Sequence, residues 1–130
     1  MAQTGGFSRI FTLQEANELL PILNPWLEQM LAARREVLTL RPELEPMLGK
    51  AALNGGQEHT PQLLEAFARL DAAIQAIQSQ GVLVKDVNTG LLDFPSVRNG
   101  NIVFLCWQYG EPAIEYWHEI DTGFGGRQRL

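Results

Sequence analysis

The chain has 130 residues, ten Lys and Arg against fifteen Asp and Glu, and a formal net charge of -5. That length fits a single domain over 1–130, and scattered cations in an acidic chain argue against a nucleic-acid partner, because such affinity comes largely from neutralising phosphates. One cysteine makes no intrachain disulfide, no basic-then-apolar leader opens the chain, and no apolar run approaches the roughly 20 residues of a membrane helix, so a cytoplasmic protein with no membrane partner is expected.

Phe7 to Phe11 offers an edge strand ahead of the first helix. Thr12 followed by Glu15 is a capping box, in which each side chain accepts a free amide at the helix start. From there Leu19, Leu23, Trp26, Met30, Ala33, Val37 and Leu40 repeat at intervals of four and three. A second stripe, Leu20, Leu27, Leu31 and Leu38, doubles the apolar width that one partner needs. Pro21 and Pro25 interrupt the pattern, and a kink or restart at Asn24-Pro25 is expected.

The next stretch, RPELEPMLGKAALNGG (41–56), carries two prolines and ends in Asn-Gly-Gly, which predicts a mobile connector over 41–59. Thr60-Pro61 then opens a second helix with the stripe Leu63, Phe67, Leu70, Ile74 and Ile77, closed by Gly81. The two helices predict an antiparallel hairpin over 12–80. The surplus stripe on the first helix predicts a homo-oligomer, most simply a homodimer.

Beyond Gly81 short apolar runs alternate with turn residues, giving a sheet half over 81–122. GVLVKDV turns at Asn88-Thr89-Gly90 into LLDFP, and NIVFLCWQ turns near Tyr109-Gly110 into AIEYWHEI. The end, GFGGRQRL (123–130), reads as a flexible tail. The fold class is therefore α+β: an antiparallel helical hairpin packed on a small antiparallel β-sheet of about four strands.

The strings FTLQEANELLP, VKDVNTGLLDFP, LCWQYGE, YWH and GFGGR occur in one order along nearly the whole chain. In them the sequence resembles the bacterial family catalogued as domain of unknown function 2203. The resemblance implies no activity, substrate or catalytic residue, so candidate chemistry comes from the residues themselves.

That chemistry is densest in LCWQYGEPAIEYWH (105–118). A divalent metal site is the sharpest reading, with Cys106, Glu115 and His118 as ligands and Glu111, Asp93 and Asp86 of the same donor type. Glu115-Tyr-Trp-His118 has the Glu-x-x-His spacing of helical di-iron proteins, yet on an alternating strand Glu115 and His118 point to opposite faces. A two-residue turn at Tyr109-Gly110 pairs Gln108 with Glu111 and separates Cys106 from His118; a three-residue turn brings them to one face. The tighter turn is the preferred reading. A Cys106–His118 nucleophile pair needs the same geometry, and a cysteine between Leu105 and Trp107 more often is inert core.

Asp93, Trp107, Glu111, Trp117 and Arg127 form a second candidate set, for a small-molecule ligand. Asp93 needs a partner if buried, and Arg127 or Arg98 is the expected one. Gly123-Phe-Gly-Gly-Arg127 offers amides and a cation to an anion. The order strand, two helices, sheet also parallels small ribosome-dependent ribonuclease toxins, but the sheet half lacks their basic surface. The leading reading is a non-enzymatic binding or homo-oligomeric assembly module with a small-molecule or protein partner and no resident cofactor predicted. The alternative is a metal-binding protein or small enzyme using Cys106, His118 and neighbouring carboxylates. On either reading the Leu105–His118 segment is chiefly sheet core.

Overall fold

The computed structural model describes residues 5–49 and 60–130. Helix α1 (Leu13–Leu40) starts at the capping box: Thr12 Oγ1 accepts the Glu15 amide at 3.0 Å, and Glu15 Oε1 accepts the Thr12 amide at 2.8 Å. It runs unbroken through Pro21 and Pro25, against the expected restart. Both prolines lie on the solvent side, where water takes the carbonyls that the missing amides leave free. Asn24 does not cap a new helix; its amide bonds Glu28 Oε1 at 3.2 Å.

Helix α3 (Pro61–Gln78) begins as expected, with Thr60 Oγ1 accepting the Leu63 amide and Pro61 in the first turn. It packs along α1; the α3 stripe is buried throughout, and so is that of α1 apart from a half-buried Trp26 and an exposed Leu40. Of the second stripe on α1, Leu27 is fully buried, while Leu20, Leu31 and Leu38 are partly buried against the same core, as is Trp26. Much of the surplus apolar width is thus covered within the chain, leaving Leu13, Ile22 and Leu40 as the exposed large apolar residues of α1. Between the helices, Pro42–Leu44 forms a 3₁₀ turn and α2 (Glu45–Leu48) one helical turn whose Leu48 is fully buried. Asn88 holds this part down: its amide donates to Glu45 O at 2.9 Å, and its Oδ1 accepts Arg34 Nε at 2.7 Å. The first part of the expected connector therefore belongs to the fold, and positions 50–59 of it lie outside the described residues.

Strands β1 (Leu83–Asp86), β2 (Leu91–Arg98), β3 (Asn101–Gln108), β4 (Tyr116–His118) and β5 (Gln128–Arg129) form one antiparallel sheet in chain order. The β1–β2 turn closes at Gly90, whose φ of 69° suits a residue without Cβ; an added Cβ would sit 2.7 Å from Tyr109 Cβ. Two expectations about edges fail. Phe7 to Phe11 is not a strand: it meets the free side of β2 through Phe11 N–H to Pro95 O at 2.7 Å, and Pro95 has no amide to return. The segment read as a tail instead supplies β5, a fifth strand.

The register of β4 also departs from the preferred two-residue turn. The Tyr109-Gly110 turn closes locally, with Glu111 N–H to Gln108 O at 3.0 Å. Glu111 Oε1 then takes the Gln108 amide at 2.7 Å, Pro112 has no amide to extend the ladder, and Ile114 N–H bonds Asn17 Oδ1 on α1 at 2.9 Å. The chain rejoins β3 only at Tyr116, pairing Cys106 with Tyr116 and Phe104 with His118. This is the parity of the three-residue alternative, reached by a longer excursion, and it brings Cys106 and His118 to one face.

The sheet consequently has two covered faces. Val84, Leu92, Phe94, Leu105 and Trp107 join the helices in the main core, which Ile114 completes. Asp93, Phe104, Cys106 and His118 occupy the opposite face.

Candidate metal site

Asp93, Cys106 and His118 stand on the consecutive strands β2, β3 and β4. Asp93 lies directly across from Cys106, and Phe104, two residues along β3 and on the same face, lies across from His118. Because Cys106 is short, the longer flanking side chains meet beyond it: His118 Nε2 is 3.0 Å from Asp93 Oδ1. The three are 2%, 0% and 1% exposed, and their ligand atoms lie within 4.8 Å of one another. The Phe104 ring meets the His118 ring edge to face, with Phe7 and the Lys85 ammonium against Phe104 in turn.

The imidazole is oriented from both ends. Its Nδ1 is 2.6 Å from Glu119 O, and a carbonyl only accepts, so Nδ1 carries the hydrogen. Nε2 therefore points its remaining valence at Asp93, and one proton or one cation must lie in that contact. A backbone carbonyl on one ring nitrogen with the other turned towards carboxylate and thiol is the arrangement of metal-ligating histidines.

Burial pushes the Asp93 pKa up, opposed by the charge and hydrogen bond of His118 and by Lys85. Burial likewise drives the Cys106 pKa up to about 12, and the Asp93 charge adds to it. The Cys106 thiol, set against the Asp93 carboxylate, holds its proton at neutral pH. The two imidazole nitrogens face Glu119 O and Asp93, so the described residues show no His118–sulfur hydrogen bond of the kind a nucleophilic pair uses.

Arg127 closes the site's flank. Its Nη2 donates to Cys106 O at 3.2 Å and to Glu111 Oε1 at 2.7 Å, while the guanidinium stacks on Tyr116 at 4.0 Å and Phe124 at 4.6 Å. It does not pair with Asp93 as the sequence suggested; His118 does. In the GFGGR string the amides of Gly126 and Arg127 bond Gly123 O and Phe124 O, so they are not offered to an anion.

The remaining candidates are dispersed. Glu115 is not with His118; its carboxylate lies 3.5 Å from Arg129. Trp107 is core under the helices, its indole N–H donating to Glu111 O at 3.0 Å. Trp117 lies under the Arg98 guanidinium at 4.6 Å and lines a cavity of about 410 Å³ with Phe11 and Leu130. Asp86 caps the Asn88 amide at 2.8 Å. Of the proposed metal ligands, Cys106 and His118 come together, and Asp93, assigned to the other set, replaces Glu115 as the carboxylate. The signal for Asp93 was present in its placement: a carboxylate in an apolar strand across a hairpin from the cysteine.

Fold and site together define an α+β domain with a buried Cys/His/Asp cluster on one sheet face. Residues 9–130 match the conserved family described as "Uncharacterized conserved protein (DUF2203)", and the chain belongs to it. No curated protein and no solved structure matches the chain. No helix among the described residues is long and apolar enough to cross a membrane.

Proposed function

We propose that this protein binds a divalent transition metal of the zinc class through Asp93, Cys106 and His118. The observation that carries the reading is the convergence of three different ligand types, all buried, within 4.8 Å, with the imidazole pre-oriented by Glu119 O. A mixed set of thiolate, imidazole and carboxylate suits zinc. Charge supports it further. Without metal the cluster holds a neutral thiol and one proton in the Asp93–His118 contact, for a net charge of zero. With a dication it holds thiolate, carboxylate and neutral imidazole, again zero. Exchange of two protons for the metal leaves the buried charge unchanged and avoids the cost of isolating an ion in the core.

The test is calorimetric titration of tag-free protein with zinc at neutral pH. One ion per chain is expected, with about two protons released and a Tm rise of roughly 10 °C at a hundredfold excess over Kd. Cys106→Ala and Asp93→Asn should lose the site while circular dichroism shows them folded, and His59→Ala, which removes the other histidine of the chain, should keep it. Binding of undiminished strength in folded Cys106→Ala would overturn the assignment.

A further inference from the structure

We infer that the cavity of about 410 Å³ on the helix side of the sheet binds a small monocarboxylate with an apolar body, its carboxylate on Arg98 and its body against Trp117. The site is separate from the metal trio. Trp117 packs towards the main core, while its neighbours Tyr116 and His118 share the far face with Cys106. The two readings therefore stand or fall independently.

The space follows from where α1 begins. Ser96 pairs with Val103, and Leu105 with Trp117, so these four side chains share one face towards the end of the β2–β3 hairpin. Of α1 only the start, Thr12 and Leu13, lines the cavity above them, with Phe11 just before it. The volume lies in the lower part of the range of small-molecule sites, about 300–1,000 Å³.

The lining selects the occupant. Leu13, Val97 and Leu130 are exposed large apolar residues, and all three border this one cavity. Single exposed apolar side chains are ordinary, but three around one hollow form a surface that an apolar body would take out of water. Polar groups in the walls are already spent: Ser96 gives its hydrogen to Phe11 O at 2.6 Å, and Thr12 caps α1.

Charge selects further. Arg98 is the one ionisable side chain among the lining residues, in a chain whose net charge is -5. It makes no hydrogen bond or ion pair with a described residue; its contact is with the Trp117 ring, 4.6 Å from the centroid. That contact holds the guanidinium over the ring and leaves its N–H donors free, in the fork that a carboxylate meets with two hydrogen bonds. One cation asks for one negative charge.

The experiment is a titration of the full chain with phenylacetate, followed by amide and indole N–H NMR, beside phenylacetamide, which has the same shape and no charge. Saturable shifts are expected at the Trp117 indole and at the Leu13 and Val97 amides, with Trp26 and Trp107 unmoved. Phenylacetamide should bind about tenfold more weakly, the worth of a charge-assisted hydrogen bond. Arg98→Gln should bring phenylacetate down to that level. Arg98 is exposed, so the variant should keep its fold, which the same spectra check; the comparison of acid with amide needs no substitution. Arg35→Gln, at an exposed arginine of α1 away from the cavity, should bind as the unaltered protein does. Shifts that rise without saturation, or that fall on Trp107 instead, overturn the site. Equal affinity for acid and amide overturns the carboxylate assignment. Shifts at the same residues on raising the protein concentration alone would mean that a second copy covers this face, which overturns the inference as well.

Discussion

The two faces of the sheet are equally buried and chemically opposite. Towards the helices, Leu92, Phe94, Leu105 and Trp107 fit against α1 and α3 with no titratable group among them. On the other face Asp93, Cys106 and His118 lie at similar burial under aromatic rings and the terminal segments. Apolar burial drives folding on the first face. On the second, polar groups have been taken out of water with partners that cancel part of that cost, which stabilises the fold little. A face that does little for stability yet keeps three metal-ligand types together is where function is to be sought.

The largest effect should come from the helix-side face. Trp107→Ala removes a core indole and is expected to cost on the order of 3–5 kcal/mol, measured by chemical denaturation. A loss under 1 kcal/mol would mean that this face is not the one holding the fold together.

The second test is a contrast on the far face, made with chelator present. His118→Ala leaves Asp93 buried without its partner and should cost about 3 kcal/mol. Replacing both together, Asp93→Val with His118→Leu, should cost less than about 1 kcal/mol or even stabilise, while abolishing metal binding. Equal losses in the single and double variants would make the polar trio a structural device, erasing the contrast between the faces.

Much of this was legible in the sequence, and the misses have physical causes. Helical stripes, both N-caps and the β1–β2 and β2–β3 strands follow from local periodicity and cap chemistry, which the chain carries within a few residues. The continuity of α1 through Pro21 and Pro25 does not, because it depends on those prolines facing water. The β3–β4 register was missed because Tyr109-Gly110 does make its turn. What carries the chain away afterwards is a side chain, Glu111 Oε1 on the Gln108 amide, and a distant acceptor, Asn17. Arg127 was read as part of a tail because nothing local reveals that its partners are Glu111 and Cys106 O. The site followed the register, which brings Cys106 and His118 to one face together with Asp93, a residue the sequence reading had placed in another set.

A third, moderate effect is the alkaline response. The folded Cys106 thiol holds its proton up to about pH 12, against an ordinary value of 9.0. Above pH 9 the unfolded chain has lost a proton that the folded one keeps, so stability falls as pH rises through that window, by up to about 1.4 kcal/mol per pH unit from this group. Metal-free Cys106→Ala should lack that slope in denaturation curves between pH 9 and 11. Identical slopes would place the thiol in contact with water, against the burial described for the far face.

The smallest effect belongs to neither face. Arg69 on α3 pairs with Glu36 on α1 at the surface, both about half exposed, and Glu36→Ala should change stability by less than about 1 kcal/mol, less still at high salt. A larger loss would show that helix-to-helix charge, rather than the buried stripes, secures the hairpin.

The most direct measurement of the central claim is X-ray absorption at the zinc edge of the loaded protein. The account predicts one sulfur at about 2.3 Å and nitrogen or oxygen donors at about 2.0–2.1 Å, four-coordinate in all, with the sulfur absent in Cys106→Ala. A shell of nitrogen and oxygen alone in the unaltered protein would put the metal somewhere other than Asp93, Cys106 and His118.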